Sequence, residues 1–197
     1  MAKLRESSLV LATRNPHKVR EVERLLAPAG LRVEPLPAEV ELPPENGHTF
    51  EENALPKALT AAAATGRTAI ADDSGIEAEA LGGAPGVRSA RYAGLHATDE
   101  ENLHRLLTEA PPGSALRYVC ALAYVDPQAG LEHIVFGECR GRRADAPRGF
   151  RGFGYDPVFV PDGEAQNRTM AELTDAEKDA ISHRGNAVRA LLRWLRR

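Results

Sequence analysis

A chain of 197 residues, 43% hydrophobic and 27% charged, suits a single soluble domain able to bury a core of its own. Its 25 basic and 28 acidic residues leave a net charge of −3, too weak a bias to recruit nucleic acid or an anionic membrane by bulk attraction. No apolar run approaches the ~20 residues of a membrane span. The opening stretch MAKLRESSLVLATRN has neither the apolar run nor the cleavage site of a secretory leader. Two cysteines, Cys120 and Cys139, make no disulfide framework; they are expected to be reduced core thiols of a cytoplasmic protein, lying in strands on either side of one turn. Only Lys3, Lys18, Lys57 and Lys178 are lysines, all other cations being arginine. Where such a chain keeps lysine, a compact, strongly hydrated point charge is called for instead of a planar fork.

Along the chain, SSLVLAT (7–13) reads as a buried strand. Asn15 and Pro16 then supply a helix cap and first helical position, Val19, Val22, Leu25 and Leu26 share one helical face, Gly30 stops the helix and LRVEPL returns as strand. This strand–helix–strand unit predicts a parallel pair. After a proline-rich loop, Thr49 and Glu52 fit a capping box for a helix that ends at Gly66 and is expected to bend at Pro56. RTAIAD reads as strand and GIEAEALGG as a short helix. Thr98 and Glu101 cap the next helix. The runs 115–125 and 131–141 form a predicted antiparallel hairpin, with Leu116, Tyr118, Cys120, Leu122 and Tyr124 on one face. RGFRGFGYDPVFVP is a glycine-rich loop entering a strand. Thr174 and Glu177 cap a last helical region that breaks or restarts near Ser182.

Four segments could carry chemistry. In TRNPHK a strand end meets a helix start, where free backbone N–H groups would attract an anion beside Thr13, Asn15 and Lys18. The Walker spacing is absent, and plain capping by Asn15 explains the segment equally well. Asp72 and Asp73 sit side by side in ADDSG, and like charges so placed call for a cation nearby. Glu45 with Asp73 would suit Mg²⁺, an ion held by one or two carboxylates plus substrate phosphates. Strand alternation sends only one of the two aspartates to such a site, the other bracing the loop. The alternative is that Asp73 or Ser74 merely caps the following helix. In FGYDP, glycines let backbone approach a flat ring that Phe153 could stack on, or Phe153 and Tyr155 simply fill the core. Lys178, His183 and Arg184 cluster at the helix break, as a binding group or as a solvated basic face.

Taken in order and spacing, TRNPHK, TFEENALPKA, ADDSG, LGGAPGVRSARYAG, FGYDPVF and LTDAEKDAISHRG resemble the inosine triphosphate pyrophosphatase family over residues 8 to 195. The resemblance implies an α/β fold: an elongated single domain, residues 1–197, of two lobes around a curved mixed β-sheet, with a nucleotide cleft between the lobes. It implies a homodimer that uses Mg²⁺ to hydrolyse XTP, ITP and dITP to the monophosphate and pyrophosphate. Substrate contacts are then expected from Thr13, Arg14, Asn15, Pro16, His17 and Lys18, from Lys57 and Ser74, from Phe153, Gly154, Tyr155 and Asp156, and from Lys178, His183 and Arg184. Within that set Thr13, Asn15, Lys18, Lys57 and Lys178 would hold the triphosphate. Glu45 and Asp73 would hold the metal, with Asp73 also the general base. Phe153 would stack on the base, His183 and Arg184 would donate to O6 and N7, and Asp156 would brace them. No nucleic acid or membrane partner is implied. Two residues depart from the family pattern. Arg14 stands where bacterial members commonly have glycine, so its side chain must turn outward or join the site. Pro56 directly precedes Lys57 and could redirect its amine.

Overall fold

The computed structural model describes residues 8–197, so Lys3, Ser7 and the rest of the N-terminal stretch before Ser8 lie outside the described residues. Among the described residues six strands form one mixed sheet: β1 (Ser8–Leu11), β2 (Arg32–Pro35), β3 (Ala69–Ala78), β4 (Ala115–Asp126), β5 (Leu131–Arg143) and β6 (Phe159–Pro161), in the order β2-β1-β3-β4-β5-β6. β1 pairs in parallel with β2, Leu9 opposite Val33, and with β3, Val10 opposite Ala69; β6 runs antiparallel to β5. Five helices accompany them: α1 (Pro16–Leu26), α2 (Phe50–Thr65), α3 (Asp99–Glu109), α4 (Asp175–Ile181) and α5 (His183–Leu195). Among the described residues no helix is long and apolar enough to cross a membrane.

Two compact units divide the described chain. The first comprises residues 8–73, 120–137 and 184–197, and the second residues 74–119 and 138–183. The core of the first gathers Leu9, Leu11, Val22, Leu26, Ile70 and Leu122 with the buried face of α5, Val188 and Leu191. The core of the second gathers Ile76, Leu106, Leu116, Tyr155, Val158 and Phe159. Cys120 belongs to the first core and Cys139 to the second; both thiols are free, and burial pushes each up to about 12.

Local signals act largely as the sequence implies. Asn15 caps α1 with Pro16 behind it, and Gly30 closes the following turn at φ 74°. Capping boxes close in both directions at Thr98–Glu101 and Thr174–Glu177. At α2, Thr49 accepts from the Glu52 N–H, but the Glu52 carboxylate reaches one residue further back, to the His48 N–H at 2.7 Å. α2 continues through Pro56 to Thr65. α4 ends at Ile181, the extended Ser182 follows as its cap, and α5 begins at His183, the break predicted there. A connection of four residues joins β4 to β5, which fits only antiparallel neighbours, and Asp126 Oδ1 accepts from the N–H groups of Gln128 and Ala129 to shape it.

One expectation fails. GIEAEAL is not a helix: β3 runs on to Ala78, and only a single 3₁₀ turn follows, Glu79–Leu81. The Glu/Ala/Leu content favours helix locally, but Ile76 and Ala78 are fully buried in the second core, and Ile76 donates its N–H to Ser89 Oγ at 2.9 Å. Tertiary burial decides. Along β4, the face predicted from period two, Leu116, Tyr118, Cys120, Leu122 and Tyr124, is buried, and since every residue from Tyr118 to Asp126 is buried the opposite face is covered as well.

Candidate active site

The adjacent aspartates resolve in β3, where neighbouring side chains point to opposite faces. Asp72 is fully buried. Its Oδ2 accepts from Arg184 Nη2 at 2.7 Å and Nε at 3.2 Å and pairs with Lys18 Nζ at 3.2 Å. Burial alone would raise its pKa, but Lys18, Arg184 and Lys57 outweigh it and hold this carboxyl far below the usual range. Asp73 faces the other way. Its Oδ2 accepts from Asn53 Nδ2 at 2.9 Å, and its Oδ1 stands 4.0 Å from Lys57 Nζ. Here burial wins: it lifts the carboxyl above its ordinary value against the pull of Lys57 and Lys18, and the Glu45 charge adds to the lift. Since β3 continues beyond Ser74, neither Asp73 nor Ser74 caps a helix.

Lys57 is the hub of this cluster. Its buried ammonium donates to Glu45 Oε1 at 2.5 Å and to the Asp72 carbonyl at 2.8 Å. Burial opposes the charge, but Glu45, Asp73 and Asp72 outweigh it and hold the ammonium above its ordinary pKa. Pro56 has therefore not turned the amine away from the carboxylates. Two carboxylates from separate elements thus share one cation. Among the described residues no group of three or more His, Cys, Asp or Glu side chains converges as a self-sufficient metal cage.

The segment TRNPHK differs from the free anion cradle read in the sequence. Asn15 Oδ1 accepts from the His17 N–H at 2.9 Å and the Lys18 N–H at 3.3 Å, and Thr13 Oγ1 accepts from the Asn15 N–H at 3.2 Å. Capping uses the amides that were expected to be free, because a side-chain oxygen at the cap position is the nearest acceptor. Pro16 is exposed, and His17 Nδ1 lies 2.9 Å from Arg20 Nη2. Arg14 turns away altogether: its guanidinium donates to the carbonyls of Leu36, Pro37, Ala38 and Val40 at 2.6–3.2 Å.

A second cluster lies in the other unit. Asp156 is buried, accepting from Lys178 Nζ at 2.6 Å and the Phe153 N–H at 2.9 Å on Oδ2, and from the Tyr118 hydroxyl at 3.2 Å on Oδ1. Lys178 Nζ also lies 5.2 Å from the centre of the half-buried Phe153 ring. The turn requires Gly152, at φ 72°, because a Cβ there would come within 2.0 Å of Asp156 Oδ2. The Gly154 N–H donates to Asp99 Oδ2, and Tyr155 is a core residue whose hydroxyl donates to the Ser89 carbonyl. His183 is buried and stacked on Tyr118.

Two predicted residues already hold carboxylate partners. Lys178, assigned to the phosphates, sits with Asp156 and Phe153. The Arg184 guanidinium, assigned to the base, is buried between Asp72 and Glu21, the latter at 2.5 Å. Burial opposes its charge, but Asp72 and Glu21 outweigh it and raise its pKa further. Three participants were not anticipated: Asn53, Glu21 and Tyr118. Asn53 was visible only as part of TFEENALPKA; Glu21 and Tyr118 carry no local signal, since their partners lie 163 and 38 residues away. Two surface depressions, about 730 and 390 Å³, lie in the second unit and contain none of the predicted site residues.

Comparison with known proteins places these residues in context. A model described as the Ham1 family matches residues 9–194. The chain is 50% identical to a protein of Frankia alni named dITP/XTP pyrophosphatase, covering 95% of this chain and 96% of that protein. It is 49% identical to one of the same name from Yersinia pseudotuberculosis, covering 95% and 98%. Among solved structures, a HAM1 protein from Coxiella burnetii aligns with a TM-score of 0.81 and 40% identity over 95% of this chain and 98% of that one. A nucleoside-triphosphatase / dITP/XTP pyrophosphatase from Mycobacterium abscessus aligns with a TM-score of 0.72 and 44% identity over 94% and 98%.

Proposed function

The chain belongs to the Ham1 family, and from that premise we propose which of its residues act on a purine nucleoside triphosphate. It is a nucleoside triphosphate pyrophosphatase, hydrolysing XTP, ITP and dITP to the nucleoside monophosphate and pyrophosphate. The observation that carries the mechanism is the pairing of Glu45 and Asp73 around one buried ammonium. A cation already rests where these carboxylates converge, and two carboxylates plus substrate phosphates are the donor set Mg²⁺ takes. Glu45 and Asp73 would hold that ion, which when bound would spread the charge developing on the phosphate oxygens.

Asp73 takes the proton of the attacking water, whose oxygen bonds the α-phosphorus as the bond to the bridging oxygen breaks and pyrophosphate leaves. Burial makes this carboxylate a stronger base than an exposed one. Lys18 and Lys57, with Thr13, Asn15 and Ser74, offer cations and hydroxyl or amide groups to the triphosphate. The buried Asp72, through its Oδ2, keeps Lys18 and Arg184 in place. By resemblance Phe153 stacks on the purine, and His183 and Lys178 donate to the 6-oxo side. Adenine presents a donor there, and a site built of paired polar groups rejects such a mismatch by roughly 10⁴. By resemblance the working form is a cytoplasmic homodimer, which light scattering on the purified protein tests.

The decisive measurement is pyrophosphate release from ITP, XTP, dITP, GTP and ATP, with Mg²⁺ and with chelator, for the wild type and Asp73→Asn. Equal rates on ITP and ATP overturn the specificity. Full activity in Asp73→Asn, or in chelator, overturns the mechanism.

A further inference from the structure

One side chain ties the two proposed metal carboxylates to each other. Asn53, in the first turns of α2, is buried. Its Oδ1 accepts from the Gly47 N–H at 2.8 Å, and its Nδ2 donates to Asp73 Oδ2 at 2.9 Å. The two contacts need opposite chemistry, an acceptor facing an N–H and a donor facing a carboxylate. An amide satisfies both in one orientation only. Gly47 lies two residues from Glu45, and the fit is close: a Cβ at Gly47 would come within 2.7 Å of Asn53 Oδ1. The loop carrying Glu45 and the strand carrying Asp73 are thus registered against the same amide.

We propose that Asn53 is a positioning residue that holds Asp73 Oδ2 aside, so that Oδ1 remains directed at the shared cation site opposite Glu45. The geometry shows what is being prevented. Glu45 lies 2.5 Å from the Lys57 ammonium, whereas Asp73 Oδ1 stops at 4.0 Å. A carboxylate without a second partner would rotate into a direct ion pair with the lysine. Held by Asn53, it stays uncollapsed and available to a divalent ion and a water. This inference rests on the reading of Glu45 and Asp73 as metal-holding groups.

The test is calorimetric binding of Mn²⁺ in the presence of pyrophosphate, alongside kcat and KM for ITP, in Asn53→Ala, Asn53→Asp, Glu45→Gln and Asp73→Asn. Asn53→Asp keeps the acceptor for Gly47 but cannot donate to Asp73, so it separates the two bonds if Asn53→Ala fails to fold. Loss of a group that orients a metal ligand weakens metal affinity or activity about 10- to 100-fold. Both Asn53 variants are expected to weaken Mn²⁺ binding and lower kcat within that range, with KM changed less than threefold. Mn²⁺ binding within twofold of wild type in both Asn53 variants, with loss in Glu45→Gln and Asp73→Asn, overturns the role of Asn53 alone. Unchanged binding in all four overturns the metal reading and this inference with it.

Discussion

The ring of His183 lies flat on that of Tyr118, with centroids 4.5 Å apart and planes inclined by 9°. The same tyrosine donates its hydroxyl to Asp156, which also binds Lys178. Tyr118 therefore fixes two groups assigned to base recognition from beneath. Tyr118→Phe keeps the stack and removes one hydrogen bond, worth about 1 kcal/mol. It should change kcat/KM for ITP by less than about tenfold and leave the ITP/ATP ratio near that of wild type. Tyr118→Leu removes the stack as well, and the ITP/ATP ratio of kcat/KM should fall by about two- to tenfold, aromatic stacking being worth ~0.5–1.5 kcal/mol beyond burial. An unchanged ratio in Tyr118→Leu would remove Tyr118 from the specificity apparatus.

Asp72 and Asp73 are neighbours whose neutralisation should act on stability in opposite directions. Asp72→Asn strands the buried Arg184 cation and the partly buried Lys18, a loss of about 3–5 kcal/mol in comparable buried pairs. Asp73→Asn removes a charge that burial disfavours and keeps an acceptor for Asn53, so the melting temperature of the metal-free protein should hold or rise while hydrolysis is lost. The pH dependence follows. Asp72 has a depressed folded pKa, so its stabilisation is present above its unfolded value, near the ordinary 3.8, and is lost as pH falls below that. Asp73 has a raised folded pKa, so its ionisation costs stability above the same point and the cost disappears on acidification. Melting curves from pH 3 to 7 should therefore show a steeper acid loss in wild type than in Asp72→Asn. Parallel curves would contradict the assignment of Asp72 as a buried anchor.

Lys57 should affect metal and catalysis oppositely. Its ammonium competes with a divalent ion for Glu45 and Asp73 in the nucleotide-free protein. A unit charge at 4 Å is worth ~1–4 kcal/mol between fully aqueous and surface-like screening. Lys57→Met should bind Mn²⁺ in the absence of nucleotide at least about tenfold more tightly by calorimetry, yet hydrolyse ITP more slowly because a phosphate-binding cation is gone. Weaker Mn²⁺ binding in Lys57→Met would show that the lysine supports the metal site instead of competing for it.

Much of this site could be read in advance because its signals are local. Asn15–Pro16, Thr98–Glu101 and Thr174–Glu177 fix helix starts through contacts within three residues, and those starts are where the sequence places them. The alternation of a strand sufficed to separate Asp72 from Asp73. What escaped depends on distant partners. GIEAEAL has helical composition, but its strand conformation is imposed by burial of Ile76 and by Ser89. Arg184 reads as an exposed donor at a helix start until Glu21 and Asp72 are brought to it across the fold. Lys178 reads as a phosphate cation until Asp156 takes it.

Arg14 provides the sharpest separation between a binding and a structural role. It sits in the middle of the expected phosphate loop, yet its guanidinium donates to four carbonyl oxygens between Leu36 and Val40. Those carbonyls belong to a stretch outside the helices and strands, where the Pro37 carbonyl also accepts the Val40 N–H at 3.1 Å. Arg14→Ala leaves them to solvent. Because the guanidinium is largely exposed, water replaces part of what is lost, and the expected cost is about 1 kcal/mol, not the sum of four charged hydrogen bonds. KM for ITP should stay within about twofold, since no positive charge is withdrawn from the triphosphate. Steady-state kinetics and denaturant melts on the one variant decide the matter. A KM raised tenfold at unchanged stability would mean that the side chain swings onto the phosphates when nucleotide binds.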